Sequence, residues 1–121
     1  IFLEESLHGD KLKTARRLFT KKIITSLPDV IITSNDLIAQ GIISAAHENG
    51  INIPNDMQIT GFDDLLSSAY FIPSVTTVSQ NIDELAKRCF SMLMDLINKK
   101  SAVSSIIEQN IIARNSAKIN I

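Results

Sequence analysis

Cysteine appears once in these 121 residues, at Cys89. A single thiol rules out an internal disulfide and a multi-cysteine zinc site, and it fits a reducing compartment. Tryptophan is absent, and only four glycines and three prolines are present. Their scatter excludes a glycine-rich phosphate loop and any low-complexity tract. No apolar run approaches the roughly 18 residues of a membrane span, and no basic segment leads into an apolar one as in a secretory signal. The net charge of −1 carries no nucleic-acid footprint over the whole chain. What the chain does hold is ordinary for a folded domain: 45% apolar and 21% charged residues, and enough length to bury one core. It begins Ile1-Phe2-Leu3-Glu4 without a methionine and reads as a piece of a longer protein.

Charge is uneven. Residues 1–22 hold six basic and three acidic residues, and the remainder holds six and ten. Within 10–25, Leu12, Ala15, Leu18, Phe19 and Ile23 recur at helical spacing, with Lys11, Lys13, Arg16, Arg17, Lys21 and Lys22 over much of the rest. The bland reading of this basic helix is a solvated face, since no aromatic residues interleave with it.

Val30-Ile31-Ile32-Thr33 is a β-branched run suited to a strand covered on both faces of a parallel sheet. Asn35-Asp36 then opens a helical pattern through Ala46, stopped by Gly50. Met57–Phe62 reads as a second strand. Strand, helix and strand make a βαβ unit with parallel strands. Residues 65–75 read as irregular, and Val75–Ser79 as a third strand. Asn81 is expected to cap a helix over 82–98, with Glu84 as its capping-box partner. Ser101–Ser105 reads as a linker, Ile106–Arg114 as a last strand, and the tail after Ser116 as loose. Gly41, inside the first of the capped helices, implies close packing at that point.

Ligands of open parallel sheets sit beyond the carboxyl ends of the strands. Asn35 lies just past the first strand and Asp63 just past the second, so both are expected to face one crevice. A carboxylate accepts from two hydroxyls, and an amide both donates and accepts, a combination that suits a polyol or sugar ring. The bland alternatives are a plain cap at Asn35-Asp36 and a plain turn at Asp63-Asp64. Paired carboxylates also serve acid–base and metal chemistry. No histidine lies near either pair in sequence and nothing completes a nucleophile–base set, so the chain does not read as an enzyme, and no metal or cofactor is expected. His8 and His47 read as surface residues and Cys89 as a core residue. Arg114 has the chemistry to pair with a carboxylate that the sequence does not name.

Five motifs in order carry a resemblance: Pro28-Asp29-Val30-Ile31-Ile32 with Asn35-Asp36-x-x-Ala39-x-Gly41; Gly50-Ile51-x-Ile53-Pro54-x-Asp56; Gly61-Phe62-Asp63-Asp64; Pro73-x-x-Thr76-Thr77-Val78-x-Gln80; and Arg114-Asn115-Ser116. Together they resemble the LacI/GalR family of transcription regulators, from about residue 28 to 116. Residues 1–27 match only loosely. The resemblance implies an α/β fold, a parallel sheet with flanking helices forming part of a periplasmic-binding-protein-like type I lobe. Residues 1–79 would belong to the C-terminal lobe of the effector-binding domain, 80–104 to the crossover and a helix of the N-terminal lobe, and 105–121 to a return strand and tail. The helix over 82–98 would then lack its usual neighbours, and its apolar face would be covered by something else, such as a second copy of the chain.

The resemblance further implies a small, sugar-like effector, operator DNA contacted through a domain absent here, a homodimer, no membrane, and a cytoplasmic setting. It assigns effector contacts to Asn35, Asp63 and Gln80, with Asp36 left to cap its helix, and an aromatic stacking role to Phe2. His47 lies where the family places dimer contacts. The alternative is a periplasmic sugar-binding protein of the same fold. A phosphoryl-transfer or receiver-type domain is a third reading, without a phosphate loop to support it.

Overall fold

A computed structural model describes residues 10–119. Helix α1 (Lys11–Leu18) starts at Asp10, whose carboxylate accepts from the Lys13 amide. It runs on as a π-helical turn over Phe19–Ile23, marked by the Ile24 N–H bonded to the Phe19 carbonyl. Strand β1 (Val30–Ile32) follows, then helix α2 (Asp36–Glu48) and strand β2 (Gln58–Thr60). β1 and β2 are parallel neighbours, with Ile31 opposite Ile59, as the βαβ reading requires. α2 ends in a Schellman motif: the Ile51 N–H reaches the Ala46 carbonyl, the Gly50 N–H reaches His47, and Gly50 has φ 73°.

The segment read as irregular contains a short helix, α3 (Leu66–Tyr70). Its two serines and lack of apolar periodicity hide it from the sequence. It is held by tertiary bonds to α2, described below. Strand β3 (Thr77–Ser79) pairs antiparallel with β4 (Asn110–Ile112), and a parallel bridge between Thr60 and Thr76 joins this pair to β2. Segments β1, β2 and 76–79 therefore run the same way, and their carboxyl ends share one edge.

The core lies between α1, α2 and the sheet. Phe19, Ile42, Ile43, Met57, Ile59 and Val75 are buried there. The Arg16 guanidinium also crosses from α1 to α2, donating to both Glu48 carboxylate oxygens at 2.7 and 2.8 Å and to the Ser44 hydroxyl. Part of the basic face thus has a bound role. β1 is not covered on both faces as expected: Val30 and Ile32 are exposed.

Helix α4 (Ile82–Ile97) buries no residue, and Ile82, Phe90, Leu93 and Ile97 stand exposed. Cys89, expected in a core, is exposed on this helix for the same reason. Asn81 stands at the N-cap position, where its carbonyl accepts from the Leu85 amide at 3.0 Å, but its side chain does not cap the helix. Its φ of 52° is left-handed and its side chain makes no cap bond, whereas a capping side chain needs an extended backbone. Glu84 instead pairs with Arg88 one turn on. Nor does the chain loosen directly after Ser116, as far as Lys118. Ser116 and Ala117 are buried, and the Lys118 amide donates to Gln58 Oε1 at 2.7 Å.

Gly41 is where α1 and α2 touch. A Cβ there would stand 2.5 Å from the Leu12 carbonyl oxygen and 3.0 Å from Ala15 Cβ. Alanine gains about 1 kcal/mol of helix propensity over glycine, yet Gly41→Ala is expected to lose about 1–3 kcal/mol through overpacking against backbone. Urea denaturation checks this; an unchanged or higher midpoint would mean that the two helices separate freely.

Candidate functional site

Three of the residues singled out from sequence lie at the shared carboxyl edge, and two of them, Asp63 and Gln80, are in side-chain contact, while Asn35 is buried. Asn35 lies three residues past β1, Asp63 three past β2, and Gln80 one past β3. Two main-chain bonds stitch these exits together. The Asp36 N–H donates to the Phe62 carbonyl at 2.9 Å, and the Asp63 N–H donates to the Val78 carbonyl at 3.0 Å. The first joins the Asn35–Asp36 peptide to the Phe62–Asp63 peptide, so Asn35 and Asp63 flank one hydrogen bond.

The capping role expected of Asp36 falls to Asn35. Asn35 is the helix cap: its backbone is extended and its Oδ1 accepts from the Ile38 amide at 3.0 Å. Its Nδ2 has no partner among the described residues and keeps two donor hydrogens. Asp36 is the first helical residue, so its carboxylate turns inward instead of capping. It is fully buried. Oδ1 accepts from the Thr77 hydroxyl at 2.6 Å; Oδ2 accepts from the Ser68 hydroxyl at 2.6 Å and the Leu65 amide at 2.8 Å. Gln40, also buried, donates to the hydroxyls of Ser67 and Ser68 and so extends the network.

Asp63 and Asp64 both have positive φ, 108° and 53°. Non-glycine residues in such sparsely populated conformations cost on the order of 1–3 kcal/mol each and persist only where surroundings hold them. The Asp63 carboxylate accepts from Gln80 Nε2 in a short bond through Oδ1. Asp64 accepts from Arg114 Nη2 at 2.6 Å, and its amide approaches Thr77 Oγ1 at 3.4 Å. Asp64 is thus the carboxylate partner of Arg114 that the sequence left unnamed.

Phe2 lies outside the described residues. His47 is exposed on the last turn of α2. Among the described residues no group of three or more His, Cys, Asp or Glu side chains is arranged to hold a metal ion. No described helix is long and apolar enough to cross a membrane. Sequence reasoning missed Asp36, Ser68 and Thr77 as a buried cluster. The signal available was Thr76-Thr77, two polar residues in a strand that packs inward.

Residues 4–117 match the family model described as a periplasmic binding protein-like domain. Over 95 residues, 77% of this chain, it is 35% identical to the HTH-type transcriptional repressor PurR of Pasteurella multocida, and over 92 residues, 74% of the chain, 36% identical to the HTH-type transcriptional regulator RegA of Clostridium acetobutylicum. The periplasmic binding ribose operon repressor protein from Lactobacillus acidophilus superposes with a TM-score of 0.83 at 31% identity, covering 97% of this chain and 44% of that one. The chain belongs to the periplasmic binding protein-like family, in its LacI/GalR branch. It spans 28% of the length of each of these two curated relatives. In this LacI/GalR-type domain, an α/β fold with a parallel sheet, the open carboxyl edge is the place where such sheets receive ligands.

The buried carboxylate also explains a glycine of the family-like motif. A Cβ on Gly61 would lie 2.1 Å from Asp36 Oδ1. Asp36→Ala is expected to cost about 3 kcal/mol by orphaning three donors. Gly61→Ala is expected to be destabilising alone, and less so in the Asp36→Ala background by at least about 1 kcal/mol. A double-mutant cycle by chemical denaturation measures that coupling, and strict additivity would disprove the contact.

Proposed function

We propose that this chain is the effector-sensing portion of a LacI/GalR-type transcription regulator, and that the effector is a sugar or sugar derivative bound at the carboxyl edge by Asn35, Asp63 and Gln80. The observation that carries the reading is the position of these three at the ends of parallel segments, with main-chain bonds from Asp36 to Phe62 and from Asp63 to Val78 joining the exits and Gln80 bonded to Asp63. Asp63 brings a carboxylate with acceptor capacity beyond the bond to Gln80. Asn35 brings amide hydrogens, and Gln80 an amide oxygen. Such a set matches vicinal hydroxyls, which donate to the carboxylate and accept from the amide. A LacI family transcriptional regulator from Enterococcus faecium with bound ribose, 25% identical with a TM-score of 0.80, supports the choice of a sugar.

The rest of the proposal concerns the longer protein. Residues 1–79 contribute one lobe, 80–104 a crossover and a helix of the other, and 105–121 a return strand. Phe2 stacks on the ring. The effector favours one angle between the lobes and shifts their equilibrium toward it. In a homodimer this alters the spacing of paired DNA-binding heads on a two-fold operator in the cytoplasm.

Thermal-shift screening of the full-length protein against pentoses and hexoses, D-ribose included, identifies the effector. Asp63→Ala is then expected to weaken binding at least about tenfold, the scale of one charged hydrogen bond. Unchanged affinity would remove Asp63 from the site.

A further inference from the structure

The carboxylate proposed to meet the effector sits in a turn that its own residues disfavour. Asp63 and Asp64 follow one another with φ 108° and 53°. Something outside the turn must hold them, and the bonds to Asp64 identify it. The Arg114 guanidinium forks between two acceptors: Nη1 donates to the Val75 carbonyl at 2.9 Å and Nη2 to Asp64 Oδ1 at 2.6 Å. The pair is largely withdrawn from water, with side-chain exposures of 17% for Arg114 and 25% for Asp64, so solvent screens it weakly.

Arg114 is itself anchored independently of its side chain. Its amide donates to Thr76 Oγ1 at 2.9 Å, and its carbonyl accepts from the same hydroxyl at 3.1 Å. Two residues on, Ser116 donates to the Ile59 carbonyl at 2.7 Å and accepts from the Thr76 amide at 2.8 Å. The guanidinium therefore extends from a segment clamped across β2 and the start of the third parallel segment.

We infer that Arg114 is a positioning residue for the effector site: by holding Asp64 it holds the Asp63 carboxylate where Gln80 and the ligand meet it, without touching the ligand. This rests on the proposed effector role of Asp63. Lysine cannot replace it, because a single ammonium on a flexible stem does not reproduce the planar fork spanning Val75 O and Asp64 Oδ1.

The test uses the full-length protein with Arg114→Lys and Asp64→Asn, residue-resolved amide hydrogen exchange, and D-ribose as the binding probe. The Asp63 amide, bonded to Val78 O, reports the turn. The Ile59 amide, bonded to Ser116 O, reports the sheet. Both variants are expected to speed Asp63 exchange about tenfold while leaving Ile59 within about twofold. Ribose affinity is expected to fall about tenfold in both. Unchanged Asp63 exchange overturns the inference, and so does equal acceleration at Asp63 and Ile59, which would make Arg114 a support of the whole sheet. Faster Asp63 exchange with ribose affinity intact also overturns it. If the wild-type protein does not take ribose, that choice of sugar fails on its own, and the exchange measurement still decides whether Arg114 holds Asp63.

Discussion

A carboxylate with no exposed surface has to be solvated by the protein itself, and Asp36 is solvated from three directions. Thr77 supplies a hydroxyl from β3, Ser68 a hydroxyl from α3, and Leu65 an amide from the connection between β2 and α3. The Asp36 amide meanwhile bonds the Phe62 carbonyl. Each donor loses its partner if the carboxylate moves, and an unpaired buried charge is far costlier than the bonds are worth singly. The helix start, the turn after β2 and the entry of β3 are thereby referred to one point. The bare backbone at Gly61 follows from this, because the space a side chain would need is occupied by Asp36.

The sheet depends on the same economy of short reach. Its named strands are three residues each, too short to be stable as ladders alone. Polar side chains and the segment 114–118 complete it. Thr33 donates to the Thr60 carbonyl, Ser116 binds both Ile59 and Thr76, and Lys118 meets Gln58. The bonds made by residues 114–118 bridge separations of 38 to 60 residues. The far end of the chain thus sets the geometry at the exits of β2 and β3, where the candidate site lies.

Much of this was legible from residue order. Val30–Ile32, the helix Asp36–Glu48 and the parallel return at Gln58–Thr60 follow from β-branching, periodicity and a glycine stop. The placing of Asn35 and Asp63 just past their strands follows from strand ends, and Gln80 comes from the family resemblance. Helix α3 was not legible, because LSSAY has no apolar period and is held by Ser68 on Asp36. The N-cap position at Asn81 is where the sequence places it, but the side-chain cap is absent because sequence shows residue type and not φ. The residues directly after Ser116 look loose in sequence because Ala117-Lys118 carries no pattern, whereas Ala117 is buried and the Lys118 amide bonds Gln58.

The inward turn of Asp36, with Asn35 as the cap in its place, has a general cause. Both candidate pairs, Asn35-Asp36 and Asp63-Asp64, consist of one residue at the mouth of the edge and one locked behind it. Asp36 is locked by hydroxyls and an amide; Asp64 is locked by a guanidinium. Adjacent residues leaving a strand project differently, so the chain cannot aim both side chains at one ligand, and the second of each pair turns to the interior. The locked members need polar partners from distant segments, Thr77 and Ser68 for one and Arg114 for the other. The mouth members need only a neighbour, Ile38 or Gln80. Orientation of the site is therefore a property of its locked second residues, and the first residues inherit it.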